Sequence, residues 1–225
     1  MKRLKQLGIW MAFILSVAVV RPAHAVDPQT TEEAVAALES FYASVQTMEA
    51  TFLQITRSPT MGTEEQQQGR LVVKRPKMMR WDFTKPDKRL FLTDGKQMWI
   101  HSPEENQVIH YRDITGAQSG GVDVLLSEMD KIDESFNVVL DTTGKASSDA
   151  YFALILTPKT EAPFKSIVLE VHKQKLTLKR VLVVDTFDNE TELRFSSVKV
   201  NGNVADSLFQ FDIPEGAELI QPDRL

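Results

Sequence analysis

From Glu49 onward the apolar side chains of this chain recur at every second position, in short runs separated by turn signals, and this rhythm limits the available folds more than any other feature. The period predicts strands over 50–57, 67–75, 78–84, 89–93, 97–102, 106–112, 135–141, 151–157, 165–172, 176–186, 191–200 and 208–212. Asp94-Gly95, Ser102-Pro103, Thr143-Gly144, Asp188-Asn189 and Asn201-Gly202 mark turns between them. Strands in near-sequential hairpins, with no helix alternating between them, imply a largely antiparallel sheet. About a dozen strands curl into a barrel or part-barrel instead of staying flat.

Two segments depart from the period of two. Thr30-Thr31-Glu32-Glu33 fits a capping box with Thr30 as cap, and Val35, Leu38, Phe41 or Tyr42, Val45 and Met48 follow at helical spacing. One amphipathic helix running to about residue 48 is expected, packed by its apolar stripe on the core. Its polar face carries Glu32, Glu33, Glu39 and Gln46, whereas a membrane-surface helix would carry Lys and Arg there. The second segment, Asp113 to Lys131, has glycines at 116, 120 and 121 and then Val122, Leu125, Leu126 and Met129 at helical spacing. It reads as a flap or as a helical crossover plugging one end of the sheet.

The first 25 residues read as a cleaved leader: Lys2, Arg3 and Lys5, then an apolar run from Leu7 to Val20, then Ala23-His24-Ala25. That run is shorter than the ~20 residues a membrane span needs. Residues 26–225 are expected to form one domain. The leader holds four of the 26 cations and none of the 31 acids, so the rest of the chain carries a net charge of about −9. An acidic, cysteine-free export product suits a bacterial periplasm. Nucleic acid is not an expected partner, because the one dense basic group is Lys74, Arg75, Lys77 and Arg80. Zero cysteines exclude a disulfide framework, a thiolate metal site, a cysteine nucleophile and a cysteine-anchored lipid.

Strand parity separates a dry face from a wet one. Met79, Trp81 and Phe83 share one side of their strand, and Arg80 and Asp82 take the other. In the preceding strand Leu71, Val73 and Arg75 share a parity, so Arg75 either lies on the apolar side or turns outward where Pro76 ends the pairing. Leu90 with Leu92, then Ile167, Leu169 and Val171, then Leu176, Leu178 and Leu182, and Leu193 with Phe195 continue the inward set. Such a surface either fills the core of a large barrel or lines a cavity for an apolar ligand. Catalytic patterns are absent: His101, His110 and His172 form no metal-binding spacing, and no nucleophile elbow, P-loop or dinucleotide fingerprint occurs. No metal or cofactor is expected. A lipid-acting enzyme would have to rest on His101 or His110.

Phe52-x-Gln54, then Gly69-x-Leu71-x-Val73-x-Arg75-Pro76-x4-Trp81, Pro86, and Thr93-Asp94-Gly95-Lys96-x2-Trp99, resemble the LolA family of periplasmic lipoprotein carriers. Asp188-Asn189-x-Thr191 and Phe209-x-Phe211-x2-Pro214-x-Gly216 are similar to that family's late hairpin and C-terminal strand. The resemblance implies an incomplete antiparallel β-barrel covered by a helical lid, enclosing an apolar cavity for the acyl chains of a lipoprotein. It implies a non-catalytic monomer that takes cargo from an inner-membrane ABC transporter and passes it to an outer-membrane receptor. The receptor of the same fold is itself anchored through a cysteine, which this chain lacks. The resemblance assigns Arg75 as the lid-locking residue, Leu71, Val73, Met79, Trp81, Phe83, Leu92 and Trp99 to the cavity, and Val122, Leu125, Leu126 and Met129 to the lid. Six methionines beyond the leader suit an adaptable lining. A carrier of another envelope lipid, a phospholipid or glycolipid, is the alternative, since acyl chains look alike to an apolar cavity. The polar segment from Ser58 to Gln68 and the methionine at 79 depart from the family pattern.

Overall fold

A computed structural model describes residues 25–114, 126 and 129–222. Helix α1 (Thr31–Ala43) is followed by β1 (Thr47–Ser58), β2 (Thr63–Lys74), β3 (Met78–Lys85), β4 (Arg89–Thr93), β5 (Met98–Ser102) and β6 (Gln107–Tyr111). After a short helical turn, Ile132–Ser135, come β7 (Phe136–Leu140), β8 (Tyr151–Pro158), β9 (Phe164–His172), β10 (Leu178–Asp185), β11 (Glu190–Val200) and β12 (Glu218–Ile220). All twelve belong to one sheet in the order β12-β6-β5-β4-β3-β2-β1-β11-β10-β9-β8-β7. Every pairing is antiparallel except β12 on β6, which is parallel. The sheet curls but does not close among the described residues, and β7 and β12 are its edge strands, as the incomplete barrel requires.

The capping box forms with one difference. Thr30 Oγ1 accepts from Glu33 N–H at 3.2 Å, while Glu33 Oε2 reaches back past the cap to Gln29 N–H at 2.8 Å. The helix is shorter than its apolar spacing predicts. It ends at Ala43, where Ser44 N–H and Oγ both turn back to Phe41 O, and the β-favouring Thr47-Met48 run begins soon after. Val45 and Met48 are buried all the same, at a turn and in β1. The apolar stripe of α1, Ala34, Val35, Leu38 and Tyr42, lies on the concave face of the sheet.

Two expectations about the chain's course need correction. The strand predicted over 67–75 starts earlier, at Thr63, so the polar stretch from Ser58 to Gln68 is a tight turn and the outer arm of β2, which pairs with β1 residue by residue from Ser58↔Thr63 to Thr47↔Lys74. The C-terminal segment predicted as a strand over 208–212 is instead a 3₁₀ turn, Asp206–Phe209, and extended coil lying against the convex side. There Phe209 packs with Val72 and Val204, and Lys74 Nζ donates to Val204 O at 2.7 Å. Arg80 Nη1 donates to Leu208 O at 3.1 Å. The strand that follows is β12, at Glu218–Ile220.

On the convex side of the other half, charge replaces a covering segment. Glu170 and Glu192 are almost fully buried, Glu170 beside Arg180 at 3.0 Å and Ser147, Glu192 beside Arg57 at 3.0 Å and Arg194 at 2.8 Å. Burial pushes both carboxyls up, but hydrogen bonds from Ser147 to Glu170, and from Arg194 and Arg57 to Glu192, leave both below the usual carboxylate range.

Candidate functional site

The concave face is built in rows by the register. Leu71 stands opposite Trp81, which stands opposite Phe91; one row along, Val73 stands opposite Met79. Gly69 stands opposite Phe83 and, on the other side, Phe52. A Cβ at Gly69 would fall 2.0 Å from Asp82 O and 2.9 Å from Phe52 Cζ, so only glycine lets β2 pass between those neighbours. The space it leaves is taken by aromatic rings. Phe52 meets Trp81 edge-on at 4.9 Å and Phe83 at 5.1 Å. The buried indole of Trp81 donates to Met79 Sδ at 2.9 Å, so its one polar atom has a partner. Leu154, Leu169, Val181, Leu193 and Phe195 extend the same surface through β8 to β11.

This face is filled by protein. The stripe of α1 and the side chains of Leu126, Met129 and Ile132 join Leu71, Val73, Met79 and Trp81 in one buried cluster. Leu126 and Met129 therefore sit over the concave face, whereas Val122 and Leu125 lie outside the described residues. Beside Arg75 a crevice of about 10 Å³ remains between Tyr42, Met48, Val73 and Leu126, room for about one water molecule.

Arg75 combines the two alternatives its parity allowed. Strand β2 ends at Lys74, yet Arg75 N–H continues the ladder to Gln46 O at 2.9 Å. Its side chain turns neither to solvent nor into the rings. It donates from Nη2 to Asp130 Oδ1 at 2.8 Å, with Arg75 19% and Asp130 29% exposed. Burial raises the Asp130 carboxyl, but the Arg75 hydrogen bond, the local backbone and the charges of Arg75 and Lys131 bring it below its ordinary value. The pair thus ties the end of β2 to the residue following Met129. Sequence reasoning did not single out Asp130, because nothing local marks one acid among many as the partner of an arginine 55 residues earlier.

Two of the expected lining residues are not on this face. Leu92 stands opposite Arg80 and Trp99, and Trp99 opposite His110, which puts all of them on the convex side. There Leu92, Trp99 and Val108 form a separate cluster with Leu90, Phe211 and Ala217. Strand β4 is apolar on both faces, because Phe91 faces inward and the C-terminal segment covers Leu90 and Leu92. Leu182 is likewise displaced: the register shifts between Leu178 and Arg180, and Val181 and Val183 take the inward positions. The three described histidines are each held by a neighbour. His110 stacks on Trp99 at 5.1 Å and bonds Gln97, His101 lies against Phe211, and His172 Nδ1 accepts from the Gln174 N–H at 3.1 Å.

Fold and site are those of an open antiparallel sheet whose broad apolar concave face is occupied by one helix and by Leu126, Met129 and Ile132, with Asp130 ion-paired to the end of a central strand. The chain belongs to the family described as outer membrane lipoprotein carrier protein LolA, whose model matches residues 43–212. An outer-membrane lipoprotein carrier protein of Pseudomonas putida is 30% identical over 192 residues, 84% of this chain and 89% of that protein. One from Methylobacillus flagellatus is 26% identical over 92% of this chain and 98% of its own. Among solved structures, an uncharacterized conserved protein from Thermus thermophilus superposes with a TM-score of 0.55 at 13% identity, covering 85% of this chain and 98% of that one, a likeness of fold alone.

Proposed function

We propose that this protein is a periplasmic carrier that holds the acyl chains of lipoproteins against its concave face and shields them from water between membranes. The observation that carries this reading is the Arg75–Asp130 pair, which joins the end of β2 to the residue after Met129 beside a continuous surface of aromatic and aliphatic side chains. Family membership supports it. Acyl burial is worth about 0.8 kcal/mol per CH₂, so an anchor leaves a membrane only for an apolar surface of comparable extent. In this reading the chains replace α1, Leu126 and Met129 on Leu71, Val73, Met79, Trp81 and Phe83. The displaced side chains then pack against the cargo.

The ion pair sets the balance between holding and release. Charge-assisted hydrogen bonding favours the closed flap. Opening leaves two charges that water can solvate, so the latch yields without an uncompensated buried charge. The protein works as a monomer without catalysis or cofactor, after loss of residues 1–25, with 26–225 as its single domain. Its partners are acylated lipoproteins, an inner-membrane ABC transporter that loads it and an outer-membrane receptor that unloads it.

Native mass spectrometry of the protein, after incubation with membranes containing an active lipoprotein-releasing transporter, tests this. A one-to-one complex with a triacylated lipoprotein is expected. Phospholipid or glycolipid adducts without lipoprotein would assign the concave face to a different envelope lipid.

A further inference from the structure

The open sheet ends on β7, and one rung of that edge is unused. In an antiparallel strand the N–H and C=O of successive residues point alternately to one neighbour and the other. Just beyond β7, Asp141 N–H donates to Ala153 O of β8 at 2.9 Å, so the odd positions face β8 and the even ones face away. Of the outward groups, Phe136 N–H donates to Ile132 O, and Leu140 N–H to Thr31 Oγ1 at 2.9 Å. Between them, the outward N–H and C=O of Val138 make no hydrogen bond to any described residue.

They open on a hollow of about 400 Å³ between α1 and β7, walled by Val35, Phe136, Val138 and Lys159, a size within the range of ligand sites. Its charges come from Glu32, Glu39, Asp133 and Lys159, and Lys159 Nζ is already engaged by Asp133 O. Burial pushes the Glu39 carboxyl up; the Asp133 N–H, donating at 3.1 Å, counters this in part, and the Asp133 charge adds to the rise. The hollow therefore offers one strand rung and an excess of negative charge, which suits a neutral or cationic backbone and opposes an anionic one.

We propose that this edge binds the polypeptide that follows the acylated residue of the cargo, as a short added strand hydrogen-bonded to Val138. The inference rests on the carrier function above. It is favoured by position, since Val138 and Leu140 also pack against the core cluster of the concave face, so lipid on that face and peptide on the edge lie side by side. Strand addition reads backbone groups instead of side chains, and it accepts polypeptides of different sequence.

The test uses three probes: tripalmitoyl-cysteine amide, the same lipid followed by one serine and four lysines, and the same lipid followed by one serine and four glutamates. Two new backbone hydrogen bonds predict that the lysine peptide binds about tenfold more tightly than the amide, that the glutamate peptide gains nothing, and that the Val138 amide exchanges more slowly in the lysine complex. Val138→Pro removes the outward N–H and spares the ladder to β8. It is expected to abolish the gain, read as the ratio of the lysine-peptide and amide affinities within the variant itself. Equal affinities for all three probes, or a gain that survives Val138→Pro with no protection of the wild-type Val138 amide, would overturn the proposal. Failure of the amide itself to bind would overturn the carrier reading and this inference with it.

Discussion

Removing the charge of Asp130 gives the sharpest test of the latch. At about 4 Å between charge centres and an effective dielectric near 20, the Coulomb attraction of such a pair is roughly 4 kcal/mol before solvent is counted. Arg75 and Asp130 are 19% and 29% exposed, so water screens much of that. A value of about 1–2 kcal/mol, between an exposed ion pair and a buried charge-assisted hydrogen bond, is expected. Asp130→Asn keeps the shape and removes the charge; Arg75→Leu removes the donor. Each is predicted to speed hydrogen exchange in α1 and in Ile132–Ser135 by about 5- to 30-fold, while amides of β10 and β11 stay unchanged. In the double variant the two effects should not add, and the coupling energy should be about 1–2 kcal/mol. Wild-type exchange rates in α1 for either variant, or full additivity, would refute the idea that this pair holds the flap. Arg75→Leu should leave the fold intact and alter loading or release of cargo, so a variant that delivers lipoprotein at the normal rate would also count against it.

Leu92→Ala and Trp99→Ala are expected to lower unfolding free energy by about 2–5 kcal/mol in urea titrations, with no change in affinity for an acylated probe, because both side chains belong to the convex cluster. Gly69→Ala should cost at least about 3 kcal/mol or prevent folding, since its Cβ would collide with the Asp82 carbonyl; a stable variant with native circular dichroism would contradict that packing. Glu170 and Glu192 have lowered carboxyl pKa values, so the stability they contribute is present above their ordinary values near 4.5 and is lost as pH falls through and below them. Urea midpoints should therefore drop between about pH 5 and pH 3, and less steeply in Glu170→Gln.

Much of the sheet was legible because alternation follows directly from the pleat. Met79, Trp81 and Phe83 kept the parity their spacing implies. Alternation stops being informative where both faces are covered. Leu90, Phe91 and Leu92 form a run whose inward member is Phe91, and the reason lies in Phe211, more than a hundred residues later. A register shift after Leu178 likewise reverses the faces of β10 with no residue signalling it. The helix read as longer than it is because Val45 and Met48 are buried for reasons unrelated to α1. Arg75 could be marked from its motif, but its partner Asp130 could not, since a tertiary ion pair leaves no local pattern.

In the proposed carrier function, acyl chains occupy the concave face. This is tested most directly by replacing Phe83 or Trp99 with the photoreactive benzoylphenylalanine and irradiating each protein with a radiolabelled triacylated lipoprotein. A covalent adduct is expected from position 83, on the concave face, and none from position 99, on the convex one. Adducts from position 99, or from neither, would contradict it.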